Sequence, residues 1–210
     1  MDLAILLFDN VTPLDAIGPY EVLRRVPDLR VHFVASEPGI KTADDGVLAL
    51  VADRALHEMP APDLVLVPGG HGEVAMREDE RVITWLRAAH ETSRWTTSVC
   101  TGALVLAAAG LLQGRRATTH WTAMGELARL GAVPVAERVV EDGKIMTAAG
   151  VSSGIDMSLT LAARIADDDT ARAIQLAIEY DPQPPFDAGS PKTAPTHLVD
   201  HQRRNSRFVD

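Results

Sequence analysis

Cys100 is the single cysteine of this 210-residue chain, and it lies where a predicted strand meets a predicted helix. Trp95–Val99 is short, β-branched and apolar, which indicates a strand, whereas residues 103–112 are rich in Ala and Leu, which indicates a helix. The positive end of a helix dipole lowers the pKa of a thiol at that position and favours the thiolate. We therefore predict a cysteine nucleophile; the alternative is a buried cysteine that packs as a small hydrophobe.

Other segments carry groups that a cysteine nucleophile could use. Gly69 and Gly70 follow an apolar strand, so their backbone N–H groups could face a developing negative charge, although the pair could also be a plain tight turn. Thr101 offers a hydroxyl to the substrate or to the sulfur, or else caps the following helix. Among the seven histidines, His120 stands at a predicted strand end, where it could act as a base for Cys100 or bind substrate.

Asp15 follows the first predicted strand, in an apolar loop just before a helix. Two interpretations stay open: Asp15 caps that helix, or its apolar surroundings raise its pKa until it shares a proton with Cys100. No two His, Cys or carboxylate residues show a recognised ligand spacing, so we predict no metal site. No phosphate-binding glycine loop is found either.

The elements that must position these residues alternate between strand and helix. Residues 3–8 and Leu64–Val67 are continuous apolar runs, typical of strands buried on both faces of a parallel sheet. The alternation predicts one α/β domain, residues 1–190, with a doubly wound, mostly parallel, flavodoxin-like sheet and helices on both faces. Residues 191–210 are predicted to form an irregular tail. Chemistry in such sheets lies beyond the carboxyl ends of the strands, where these segments should converge.

Composition excludes some classes of partner. The net charge of −9 argues against a nucleic-acid partner, and the arginines at 203, 204 and 207 are expected to lie on a solvated tail. The longest apolar stretch, residues 103–112, is about half of the ~20 residues needed to span a bilayer. A lone cysteine and an N-terminus without a basic region favour a cytoplasmic protein that has no membrane partner.

The chain resembles members of the ThiJ/PfpI superfamily, whose fold is akin to that of class I glutamine amidotransferase domains. Residues 14–19, 67–70 and 98–102 match its segments in order. Within this superfamily, bacterial isocyanide hydratases are similar over four further segments: residues 109–114, 116–121, 137–140 and 185–191.

This resemblance implies a homodimer, with its site near the interface, that converts an isonitrile and water into an N-substituted formamide without a cofactor. Cys100 thiolate would attack the terminal carbon while protonated Asp15 delivers a proton toward nitrogen, giving a thioimidate. Ionised Asp15 would then activate water, with Thr101 and the Gly70 N–H holding the anionic sulfur or the tetrahedral adduct.

Other members of the superfamily offer competing functions. Its peptidases carry a histidine directly after the nucleophile, where this chain has Thr101, and its glyoxalase and deglycase branch usually has Glu where this chain has Asp15. Its AraC-type regulators add a helix-turn-helix domain, for which the roughly 20 residues after Gly189 are too few. A glyoxalase-type enzyme, a ligand-binding domain like that of the regulators and a cysteine redox sensor stay open as alternatives.

Overall fold

Buried apolar strands form the centre of the protein, whose computed structural model describes residues 1–208. Short 3₁₀ turns at Leu56–Glu58 and Trp121–Ala123 supplement the regular elements. In chain order these are β1 (Asp2–Leu6), α1 (Pro13–Leu23), β2 (Arg30–Ala35), β3 (Gly39–Thr42), β4 (Ala49–Ala52), β5 (Arg54–Ala55), β6 (Leu64–Val67), α2 (Glu73–Glu78), α3 (Glu80–Thr92), β7 (Trp95–Val99), α4 (Gly102–Ala108), β8 (Arg116–Ala117), α5 (Met124–Arg129), β9 (Val133–Pro134), β10 (Val139–Asp142), β11 (Ile145–Ala148), α6 (Ser153–Ile165), α7 (Asp168–Ala177) and α8 (Thr196–Arg204).

The central sheet has seven strands in the order β10-β11-β7-β6-β1-β2-β5. Neighbouring strands run parallel, except that β10 and β11 form an antiparallel hairpin. The chain adds β2 and β5 on one side of β1 and then returns to place β6 on the other side. This reversal creates the crevice in which doubly wound sheets bind ligands, and the predicted fold class is confirmed.

Two apolar layers cover the faces of the sheet. On one face α3, α4 and α5 bury side chains such as Leu86, Leu104 and Leu127, all of which are fully buried. On the other face α1, α6 and α7 bury side chains such as Ala16 and Leu161. The strands between these layers are apolar on both faces, which explains why residues 3–8 and Leu64–Val67 lack a polar alternation.

Helix α1 begins at Pro13, so Asp15 lies in its first turn rather than in the predicted loop before a helix. Pro13 suits the start of a helix because its missing N–H has no intrahelical partner there. In the sequence, Gly18 and Pro19 suggest an interruption of the helix, but both residues are buried within α1. A Cβ on Gly18 would lie 3.1 Å from Cγ1 of Ile155, so the glycine lets α6 pack closely.

The prediction of an irregular tail over residues 191–210 is wrong for Thr196–Arg204, which form α8. The helix follows Pro195, whose extended backbone starts it, and Val199 is buried at 8% exposure. One buried side chain in nine residues is a weak hydrophobic pattern, which is why the sequence conceals this helix. Val209 and Asp210 lie outside the described residues.

Candidate active site

Cys100 occupies a sharp turn between β7 and α4. Its φ of 56° is in the left-handed region, which side chains other than glycine adopt only when their surroundings hold them there. Its N–H donates to the carbonyls of Ala148 (3.1 Å) and Ala149 (2.8 Å), which fixes the turn to the end of β11. A Cβ on Gly102 would collide with the carbonyl of Val67, so only glycine lets the new helix pass so close to β6.

Asp15 is fully buried and interacts with two groups from distant parts of the chain. Its Oδ2 accepts a hydrogen bond from the Gly69 N–H at 2.9 Å, and its carboxyl also interacts with the thiol of Cys100. The N-cap position of α1 belongs to Thr12. The capping interpretation of Asp15 is therefore wrong, and the structure brings the carboxyl to the cysteine.

Burial opposes ionisation of both partners. It raises the pKa of Asp15 from 3.8 to about 7, although hydrogen bonds from Gly69 and Cys100 act in the other direction. Burial, followed by the negative charge of Asp15, raises the pKa of Cys100 from 9.0 to about 12, despite backbone N–H groups of Val151 and Thr101 that lower it.

The predicted low thiol pKa is therefore wrong, because desolvation outweighs the helix dipole at this buried position. Above pH 7 the pair carries one proton, shared between the thiol of Cys100 and the carboxylate of Asp15. A thiolate arises only when that proton moves to Asp15, which makes the two side chains a single proton-sharing unit.

The glycine turn after β6 holds both neighbours of the thiol. Gly69 donates to Asp15, and Gly70 donates its N–H to Oγ1 of Thr101 at 3.1 Å. The Gly70 N–H, which we expected to face the adduct, is thus already hydrogen-bonded to Thr101. Thr101 makes no side-chain cap on α4, and the carbonyl of Gly70 lies a distant 3.5 Å from its hydroxyl. The hydroxyl proton of Thr101 is therefore available to a bound ligand.

His120 lines the same cavity as Cys100 but belongs to a separate hydrogen-bond group. Its Nδ1 lies 2.8 Å from Oγ1 of Thr122 and accepts from the Thr122 N–H at 3.4 Å, and burial lowers its pKa. Within residues 1–208 no hydrogen bond joins the ring to Cys100 or Asp15. The structure thus gives Asp15, rather than His120, as the proton acceptor nearest to Cys100, while the prediction that His120 contacts substrate stays a prediction.

A cavity of about 240 Å³ lies over Cys100. Its walls include Thr101 and His120, and another side is lined by residues of α8 and the segment after it. Arg207 belongs to that side, so the prediction that it lies on a solvated tail is wrong. Sequence reasoning missed this part of the site because an arginine near a chain end has no pattern that distinguishes it from a solvated one.

No helix among residues 1–208 is long and apolar enough to cross a membrane. Over the same residues, no group of three or more His, Cys, Asp or Glu side chains is arranged to hold a metal ion.

Residues 1–164 match the DJ-1/PfpI family, and the chain belongs to that family. It is 46% identical over 206 residues to the isonitrile hydratase of Pseudomonas putida, covering 98% of this chain and 90% of that protein. A solved ThiJ/PfpI family protein from Pseudomonas syringae superposes with a TM-score of 0.94 at 36% identity, covering 97% of this chain and 84% of the other.

A transcriptional regulator of the helix-turn-helix type, CdhR of Pseudomonas aeruginosa, is 32% identical over 174 residues. That match covers 81% of this chain but 49% of the regulator, so the likeness concerns about half of that protein. The resemblance to the superfamily drawn from the motifs around Asp15, Gly70 and Cys100 is confirmed by these matches.

Proposed function

We propose that this protein is an isonitrile hydratase, which adds water to an isonitrile to give an N-substituted formamide. The near full-length similarity to the P. putida isonitrile hydratase supports this activity. The observation that carries the mechanism is the buried pair of Asp15 and Cys100, in which a carboxyl with a pKa of about 7 meets the only thiol of the chain.

In the first step the proton of the pair moves to Asp15, and the sulfur of Cys100 bonds to the terminal carbon of the isonitrile, R–NC. Asp15 then releases its proton to the substrate. Because the product is a thioimidate, R–N=CH–S–Cys, the balance of atoms places this proton on the former isonitrile carbon rather than on nitrogen. A pKa of about 7 suits Asp15 to both accept and release a proton near neutrality.

In the second step ionised Asp15 takes a proton from water as the water oxygen bonds to the thioimidate carbon. That proton passes to nitrogen and gives the tetrahedral adduct R–NH–CH(OH)–S–Cys. The carbon–sulfur bond then breaks, the hydroxyl proton returns to the pair, and the formamide R–NH–CHO leaves. No proton is gained or lost by the protein over the cycle, so Asp15 and Cys100 suffice as proton carriers.

Thr101 is the group that can stabilise the adducts. Its hydroxyl oxygen accepts from Gly70, which fixes the oxygen, and its proton has only a 3.5 Å alternative acceptor. A ligand atom that gains negative charge over Cys100 can therefore receive this proton as a hydrogen bond. Gly70 acts by orienting Thr101 instead of contacting the adduct.

The homodimer stays a proposal that rests on the resemblance. The cytoplasmic location stays a proposal that rests on the lone cysteine and on an N-terminus without a basic region. The shape of the cavity is compatible with a small-molecule substrate, because about 240 Å³ can take a compact isonitrile.

The test is to incubate the purified protein with a simple aryl or alkyl isocyanide and to measure the corresponding formamide by chromatography. We expect the wild type to convert the isocyanide completely into the formamide. Cys100→Ala, the matched control for spontaneous hydration, should form none. Intact mass spectrometry of acid-quenched turnover should show the isonitrile mass added to Cys100. Methylglyoxal consumption without any formamide would instead identify a glyoxalase-type enzyme.

A further inference from the structure

The last described residues of the chain line one side of the cavity over Cys100. We use the term roof for the five of them that line it: Gln202, Asn205, Ser206, Arg207 and Phe208. They lie at the end of α8 or just beyond it, whereas the opposite walls come from the strand-end turns of the core. Cys100 itself is 6% exposed, and these residues line the cavity through which a reagent would reach its thiol.

Arg207 joins the roof to the glycine turn. Its Nη1 donates to the carbonyl of His71 at 3.0 Å, and its Nη2 donates to the carbonyl of Gly70 at 3.0 Å. The N–H of the same Gly70 donates a hydrogen bond to Oγ1 of Thr101. The planar guanidinium therefore contacts the same turn that orients the hydroxyl beside Cys100.

A buried carboxylate, that of Glu73, also contacts the guanidinium of Arg207. Glu73 is fully buried in the first turn of α2, with Arg77 Nε at 2.7 Å and Arg207 Nη2 at 3.1 Å. Arg77 pairs with Oε2 of Glu73 and Arg207 pairs with Oε1, so departure of Arg207 would leave one buried carboxylate oxygen without its cation. Glu73 therefore favours the position in which Arg207 stays against the turn. The ring of Phe208 lies 4.7 Å from the guanidinium carbon and packs on the apolar core.

We propose that Arg207 is a positioning residue for isonitrile hydration: its guanidinium clamps the roof over Cys100 and fixes the Gly70 turn that orients Thr101. This inference rests on the proposed function for its effect on turnover, but its effect on access to the thiol does not. Loss of the clamp opens the cavity, exposes the thiol to large reagents and frees the turn.

The test compares Arg207→Gln with Arg204→Gln, which removes the same charge from an exposed position on α8. Two rates of Cys100 alkylation are measured on folded protein, one with iodoacetamide and one with a bulky N-aryl maleimide. We expect Arg207→Gln to raise the maleimide rate at least tenfold, to raise the iodoacetamide rate much less, and to lower kcat about tenfold. Arg204→Gln should match the wild type in all three.

A purely structural role would lower Tm without changing the ratio of the two alkylation rates, and that result would overturn the proposal. The same conclusion would follow if Arg207→Gln and Arg204→Gln gave equal ratios. Arg207→Lys, which keeps the charge but not the planar fork, should give an intermediate ratio and replaces Arg207→Gln if that variant fails to fold. If the wild type hydrates no isonitrile, the proposed function fails, while the alkylation ratio still decides whether Arg207 holds the roof.

Discussion

The strand-end groups and the roof are built in different ways although they face the same cavity. Asp15, Gly70 and Cys100 are all buried. Asp15 accepts from the Gly69 N–H beyond β6, and the N–H of Cys100 donates to the carbonyls at the end of β11. The roof follows an exposed helix with one buried apolar side chain, Val199, and it is held mainly by polar contacts of Arg207. The chemistry is thus placed where movement requires unfolding, whereas few contacts hold the roof that lines the cavity beside it.

Cys100→Ala should produce the largest effect and tests the strand-end region directly. We expect loss of formamide production with little change in Tm, because Ala keeps the backbone hydrogen bonds of the turn and removes only the sulfur. Turnover and thermal unfolding of the purified variant check this. Hydration by a folded Cys100→Ala protein would remove the nucleophile from the mechanism.

Asp15→Asn should lower turnover at least about 100-fold, the lower end of the value of a positioned general acid–base group. The amide oxygen can still accept from Gly69, so the fold should persist, and iodoacetamide should still alkylate Cys100. Steady-state kinetics and alkylation rates are the measurements. Near wild-type turnover would mean that another group moves the protons, and His120 would be the first candidate.

The same variant has a signature in the pH dependence of stability. The folded-state pKa of Asp15, about 7, exceeds the unfolded value of 3.8, so the folded protein binds more protons between these values. The free energy of unfolding of the wild type should therefore fall, through this group, as pH rises from about 4 to about 7. Asn does not titrate, so Asp15→Asn should gain stability relative to the wild type over that range, measured by urea unfolding at pH 5 and 8. A pH-independent difference would mean that the carboxyl ionises without penalty.

Thr101→Val should lower turnover about tenfold, the value of one hydrogen bond of ~1.4 kcal/mol. It also leaves the buried Gly70 N–H without its acceptor, which should cost about 1–3 kcal/mol of stability. Thr101→Ser, which keeps the hydroxyl, is the matched control and should restore both kcat and Tm. If Ser restores stability but not turnover, the methyl group rather than the hydroxyl is the functional feature.

Arg203→Ala should produce the smallest effect. It tests whether an exposed contact of α8 contributes to the roof as Arg207 does. Its guanidinium lies 5.8 Å from the Trp121 ring centre, an exposed contact that contributes about 0.5–1 kcal/mol. We expect kcat/KM within about twofold of the wild type, since neither Arg203 nor Trp121 lines the cavity over Cys100. A loss as large as that expected for Arg207→Gln would mean that the contacts of α8 as a whole hold the roof in place, rather than those of Arg207 alone.

Much of the fold follows from local patterns in the chain. The buried strands over residues 3–8 and 64–67 and the strand-to-helix turn at Cys100 are confirmed, because hydrophobic runs act over a few residues. The predicted loop around Asp15 is wrong, since Gly18 and Pro19 suggest a break in the helix that the packing of α6 overrides.

The sequence by itself determined the alternation of strands and helices, the family, and the identity of Cys100, Asp15 and Thr101 as candidates. Tertiary structure alone decided their electrostatics and their partners. Asp15 meets Gly69 across 54 positions of the chain, and Arg207 meets Gly70 across 137. Burial arises only when such distant segments pack together, and burial is what raises the pKa values of both Asp15 and Cys100.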